Sequence, residues 1–347
     1  MRLILIAMLA LLAGCRTAGY YAHVTHGQMA LLAARKPIDK VIADPKTPGK
    51  VRKRLETARE ARQFASAHLD LPANRSYTYY VALDRPWVAW NVFATPELSV
   101  DPIVHCFPFA GCVSYRGYFR RDFADREAAR QRELGRDVSI GDVPAYSTLG
   151  WFADPLLSSM MGWDDDDLVG TIFHELAHQK IYVKNDSSFN ESYANFVEQE
   201  GVREWHAAKG LSAPDPKGDA LARSFTQQVL KLRENLKAMY ALPMSDDAKR
   251  VGKAEAFEVF RGDYLAWREN EAGGDHRYDR WMAQPMSNAR LVPFGLYDQW
   301  TAAFAAVFEQ SGREWPAFFA RVKTLAALPP TERTQQLQAL QVADKPL

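Results

Sequence analysis

The residues His174-Glu175-Leu176-Ala177-His178 set two imidazoles four positions apart, with a carboxylate next to the first. On an α-helix, residues at that spacing stack on one face, so both imidazoles can reach a single metal ion. Glu175 lies one position round the helix. It can touch a water on the metal but is badly placed to bind the metal alongside both histidines. A catalytic zinc takes three protein ligands and leaves a fourth position for water, so a third ligand has to come from elsewhere. Glu191, thirteen residues after His178, offers it. The polar turn Lys184-Asn185-Asp186-Ser187-Ser188 lets the first helix end and a second begin. On that second helix Glu191, Ala194, Asn195 and Glu198 share a side. Ala194 permits close approach of the two helices, and Glu198 or Asn195 is placed to orient a ligating imidazole through its other ring nitrogen.

The same pentapeptide pattern also arises by chance on solvated helices. Here Leu168, Val169, Ile172, Phe173 and Leu176 make the helix apolar on most sides, which places it inside the protein. One zinc ion per chain is the expected complement. Zinc lowers the pKa of water and polarises a carbonyl, and Glu175 would take a proton from that water and pass it to the leaving amine. The tetrahedral intermediate also needs an oxyanion donor. Tyr146, Tyr182 and Tyr297 qualify by type alone, and the sequence does not choose among them. No fourth His or Cys lies near the motif, which favours an open catalytic site over a closed structural one. The remaining histidines, His23, His26, His68, His105, His206 and His276, show no ligand spacing and receive no role.

Elements must exist to hold these residues. Helical periodicity predicts helices over Tyr20 to Ala34 and Pro48 to Leu69, separated by Asp44-Pro45-Lys46-Thr47-Pro48-Gly49. Tyr77 to Val81, Trp87 to Phe93 and Val113 to Phe119 are aromatic and β-branched and read as strands of a small antiparallel sheet. Asp122 to Leu134 reads as a helix, and Asp137 to Tyr146 as a strand just ahead of the metal helix. Ser147 to Pro155 reads as a loop. Asp164-Asp165-Asp166-Asp167 suits a helix N-terminus, where carboxylates satisfy free amides and the helix dipole, better than a calcium site. From Asn190 onward the chain reads as helical, with breaks near Ala213 to Pro216, Ala272 to Gly274 and Pro329-Pro330. The fold class is α+β, predominantly helical, with a small mainly antiparallel sheet and a helical C-terminal part.

The chain opens with Arg2, a short apolar run and Leu12-Ala13-Gly14-Cys15. The run is too short to span a bilayer and reads as a signal peptide over 1-14. Leu12-Ala13-Gly14-Cys15 resembles a bacterial lipobox, which implies cleavage before Cys15 and lipid on it; the alternative is an ordinary secretory signal whose cysteine is incidental. The expected organisation is therefore a leader and one catalytic domain over 15-347: N-terminal helices and sheet to about 160, metal helices over 164-208 and a helical part over 215-345. In lipoproteins of double-membrane bacteria an Asp after the cysteine favours retention in the inner membrane, so the resemblance, with Arg16 at that position, implies the outer membrane, facing the periplasm. Cys106 and Cys112 flank a segment with Pro108 and Gly111, and in an oxidising compartment a disulfide is the expected outcome. A zinc or redox role for that pair fits less well. A net charge of +1 gives no reason to expect nucleic acid as a partner. A hydrophobic content of 47% is ample for a core.

Three segments carry a family resemblance: Val143 to Phe152, Phe173-His174-Glu175-Leu176-Ala177-His178-Gln179 and Phe189-Asn190-Glu191-Ser192. Together they resemble the bacterial family described as "putative aminopeptidase", zinc-dependent lipoproteins of the zincin group. The resemblance covers nearly the whole chain. It implies a zincin-like fold, His174, His178 and Glu191 as zinc ligands, Glu175 as catalytic base and a peptide substrate. It also implies that the strand ending at Tyr146 lines the cleft and binds an extended peptide through its backbone. In one respect the chain departs from the gluzincin aminopeptidases: the Gly-x-Met-Glu-Asn segment that holds a substrate's free amine is absent. Two rival readings stay open, an envelope binding or scaffold lipoprotein with a structural zinc, and a zinc hydrolase of a non-peptide amide.

Overall fold

Ala, Leu and other helix formers dominate the N-terminal segment, and in the computed structural model they form one long helix, α1 (Arg2–Ala34). The structure describes residues 2–107, 111–294 and 300–343, with backbone alone over 2–16. After α1 come β1 (Lys36–Pro37), α2 (Ile38–Ala43) and α3 (Gly49–Ala67). Then follow β2 (Tyr79–Val81), β3 (Ala89–Pro96), β4 (His105–Phe107), β5 (Gly111–Val113), β6 (Tyr115–Tyr118), α4 (Arg121–Glu133), β7 (Arg136–Val143) and β8 (Leu156–Leu157). A short 3₁₀ turn, Ser158–Gly162, leads into α5 (Asp165–Lys180) and α6 (Ser187–Lys209). The remainder is helical: α7 (Pro216–Tyr240), α8 (Asp246–Asn270), α9 (Asp279–Met282), α10 (Asn288–Leu291), α11 (Thr301–Gln310), α12 (Trp315–Ala327) and α13 (Pro330–Ala343).

The strands differ from the single small sheet expected. They form a three-stranded sheet β1-β2-β8, a three-stranded sheet β6-β3-β7 and the hairpin β4-β5. Within the first, β2 and β8 run parallel. The stretch from Val113 to Phe119 divides at Ser114 between hairpin and sheet, because Cys106 and Cys112 pair across β4 and β5 and commit Val113 to the hairpin. The six-residue helix α2 was too short to give a periodic signal.

In the sheet β6-β3-β7 both neighbours run antiparallel to β3, and β7 is an edge strand. Alternate residues point to opposite faces. Trp90, Val92 and Tyr118 pack with Ala124 and Ala128 of α4 on one side, and the other face looks onto α5. The main core joins α3, α5, α6 and α11 to α13 through Leu55, Phe173, Leu176, Tyr193, Phe304 and Phe318, none more than 1% exposed. A second core holds α7 and α8 together through Phe225, Phe260, Tyr264 and Trp267, with Leu291 of α10 packed in. No helix among the described residues is long and apolar enough to cross a membrane.

Candidate metal centre and active-site cleft

The aspartate run starts α5: the Asp164 carboxylate accepts a hydrogen bond from the Asp167 amide, capping the helix, and the next three aspartates occupy its first turn. Ile172 and Leu176 are fully buried on the core side. That fixes the rotation of α5 and turns His174, Glu175 and His178 toward the cleft. The turn to α6 is closed by Asn190, whose side chain bonds both the amide and the carbonyl of Val183 at 2.8 Å. Asp186 caps α6 by accepting from the Phe189 amide at 3.1 Å, and the nearly buried Arg333 of α13 grips the same carboxylate. Ser192 Oγ accepts from the Trp300 amide, tying α6 to the start of α11. Glu191 is thus held between two pinned neighbours.

The structure brings His174, His178 and Glu191 together. The two Nε2 atoms lie 3.0 Å apart, and one Glu191 oxygen sits 3.3 Å from His174 Nε2 and 3.6 Å from His178 Nε2. Donors of a tetrahedral zinc with bonds of 2.0–2.1 Å stand about 3.3 Å apart, so the trio fits that ion. Two imidazole lone pairs facing each other beside a carboxylate are reconciled by a cation or a shared proton. Glu198 lies on the far side of His174, with its oxygen 2.9 Å from Nδ1. His178 Nδ1 is buried and has no hydrogen-bond partner among the described residues.

Burial works against a charged His174, but the carboxylates of Glu191 and Glu198 outweigh it and raise its pKa. Burial likewise pushes Glu191 up, and bonds from His174 and His178 reverse this, holding it down at about 2. The three side chains therefore form an ion-paired set.

These residues line one side of a cleft of about 800 Å³. Glu175 is in the same cleft, which the sheet β6-β3-β7, residues 143–149 and the α1 residues Tyr20, Tyr21, Val24 and Gln28 complete. The edge strand β7 ends at Val143, short of the expected Tyr146, and it and the segment after it, Tyr146 included, reach the cleft. That tyrosine's hydroxyl is engaged by Gln28 Oε1. Tyr182, 40% exposed, lies with its ring 6.4 Å from that of His178. Tyr297 lies outside the described residues. A tyrosine the sequence reading missed, Tyr115 of β6, also lines the cleft. Burial first, then the charge of Glu191, pushes its hydroxyl up to about 12, so it stays protonated and able to donate. Nothing in its strand segment distinguishes Tyr115 from a packing tyrosine. Gly170 was missed too. A Cβ there would come within 2.9 Å of Glu198 Oε1, so the glycine makes room for the carboxylate that holds His174.

Cys106 and Cys112 are bonded, S–S 2.07 Å, and close the β4-β5 hairpin. The Cys112 amide donates to Asn185 Oδ1 in the turn between α5 and α6. The hairpin therefore rests on the turn between α5 and α6, and its Phe107 reaches the cleft. The side chain of Cys15 lies outside the described residues.

The family model described as "Putative aminopeptidase" matches residues 19–337. The chain belongs to that family. The matched stretch contains every residue of the histidine-glutamate centre and every described residue lining the cleft. No curated protein and no solved structure matches this chain.

Proposed function

We propose that this aminopeptidase family member is a zinc-dependent peptidase of the cell envelope with a zincin-like catalytic unit. His174, His178 and Glu191 would hold the ion. The observation that carries this reading is the convergence of two Nε2 atoms and one carboxylate oxygen at mutual distances of 3.0, 3.3 and 3.6 Å, beside a free carboxylate in one cleft. No fourth protein ligand joins the trio among the described residues, which supports catalysis over a purely structural metal.

Zinc in this position supplies Lewis acidity, lowering the pKa of water and polarising a carbonyl. Glu175 takes the proton of the attacking water and delivers it to the leaving amine. The hydroxyl of Tyr115 or Tyr182 donates to the oxyanion, since that of Tyr146 is engaged by Gln28. Glu198 keeps His174 in the tautomer that turns Nε2 toward the ion.

The lipobox supports export, cleavage before Cys15 and anchoring by lipid in the outer membrane, facing the periplasm. The Cys106–Cys112 bond suits that oxidising compartment. Purified mature protein is expected to hold one zinc per chain by elemental analysis and to cleave peptides. Glu175→Gln is expected to keep the zinc and lose about 100-fold or more in kcat. Unchanged turnover in that variant would overturn the role given to Glu175, and a metal-free, inactive wild type would overturn the reading itself.

A further inference from the structure

Asn91 sits in the middle strand of the cleft-side sheet and has glycine on both sides, Gly117 of β6 and Gly141 of β7. All three line the cleft, together with Phe93 and Tyr115. Neither glycine adopts positive φ, so backbone conformation does not call for them. Glycine inside a strand weakens it and marks a place where something approaches closely. A Cβ on Gly117 would lie 3.1 Å from Asn91 Oδ1, and one on Gly141 would lie 3.2 Å from the Phe93 ring. Asn91 therefore leans over one glycine and Phe93 over the other. Both side chains lie along the sheet instead of standing up from it, and the space above stays open.

The walls around this floor are apolar: Phe107, Phe119 and Phe152 join Phe93 and Tyr115. Among the described lining residues there is no lysine or arginine. Asp142 pairs with Trp90, so alternation directs its side chain to the opposite face of the sheet. Besides Asp142, which borders the cleft as an exposed residue, its carboxylates are Glu175 and Glu191, both part of the histidine-glutamate centre. The Asn91 amide is half-buried and makes no hydrogen bond among the described residues. It can both donate and accept, as a peptide group does.

We propose that this sheet face is the subsite for a bulky apolar side chain of the substrate, an aromatic one foremost. Asn91 bonds the main-chain peptide group beside that side chain, and Gly117 and Gly141 keep the floor clear. The proposal rests on the peptidase reading for the nature of the ligand. Its test reads binding without turnover, by calorimetric titration of zinc-loaded Glu175→Gln protein. The probes are tetra-alanine and tetrapeptides in which phenylalanine, lysine or glutamate replaces one alanine at a time.

Phenylalanine at one position is expected to tighten binding about tenfold or more, while lysine and glutamate give no gain. Adding Gly141→Ala, whose methyl crowds the Phe93 ring at the floor, should cut that gain several-fold, measured against tetra-alanine bound by the same variant. Asn91→Ala should instead weaken all the peptides alike, by several-fold. If Gly141→Ala fails to fold, Phe93→Ala serves in its place and should shift the preference from phenylalanine to tryptophan. Equal binding of all peptides overturns the proposal, as does a phenylalanine preference untouched by a folded Gly141→Ala or Phe93→Ala protein. If the preference appears as described but wild-type protein cleaves none of these peptides, the subsite stands and the peptidase reading falls.

Discussion

Glu198 makes no part of the ligand trio, yet the orientation of His174 depends on it. Its oxygen lies 2.9 Å from Nδ1, and Gly170 leaves the space it occupies. Removing a partner of this kind from a ligating histidine costs about 10- to 100-fold in metal affinity. Glu198→Ala is therefore expected to weaken zinc binding by that factor in a chelator competition titration, with Glu198→Gln retaining most of it. Equal affinity in all three proteins would show that His174 is oriented by packing alone. His174, His178, Glu191 and Glu198 were legible in the sequence because helix geometry writes their proximity as spacing: four residues on one helix, seven on the next. Tyr115, Gly170 and Asn190 were not. Each acts across elements far apart in the chain or through a backbone it closes, and no local pattern records such a contact.

Helices α5 and α6 are locked at their far ends as well as at the histidine-glutamate centre. His206, near the end of α6, has Nε2 2.6 Å from Asp166 Oδ1 in the first turn of α5, and its Nδ1 is engaged by the Ser212 carbonyl. With acceptors at both nitrogens the charged ring is favoured. Burial opposes this, but the Ser212 carbonyl and the Asp166 carboxylate outweigh it and raise the pKa. A raised folded-state pKa contributes stability that is complete below the ordinary histidine value, about 6.5, and is lost as pH climbs through the folded value. The gap in urea unfolding free energy between wild type and His206→Gln is thus expected to be widest near pH 6 and to narrow toward pH 9. A gap independent of pH would mean that the contact is not ionic. The sequence reading gave His206 no role, since the aspartate forty residues away becomes its neighbour only once α5 and α6 lie antiparallel. The helices themselves were readable from their apolar period and their caps, Asp164 and Asp186 among them. Most strand pairing was not. Segments of two to four residues carry too little alternation to state a partner, so β2 with β8 emerges only from the tertiary fold, whereas the closure of β4 on β5 was signalled by the Cys106 and Cys112 spacing.

The chain leaves the metal helices at Lys209, builds the separate core of α7 and α8, and returns through α11 to cover α6. Phe304 of α11 is fully buried, with ring centroids 5.2 Å from Phe189 and 5.8 Å from Tyr193. Those two rings flank Glu191 in sequence, so the last third of the molecule forms the backing of the histidine-glutamate centre. Phe304→Ala should cost about 3–5 kcal/mol of unfolding free energy. Zinc affinity should fall with it, and a loss under 1 kcal/mol in denaturant titration would contradict this view of the core. At the other end of the chain, α1 supplies a wall of the cleft, beginning at Tyr20. Tyr20 follows Cys15 by five residues of helix, a rise of about 8 Å. With Cys15 acylated as proposed, the α1 wall of the cleft would begin close to the membrane surface. Encounters would then be governed by lateral diffusion in a thin layer, where a tethered or surface-adsorbed peptide has a far higher effective concentration than one free in solution. Address would filter the substrates before any side chain is read.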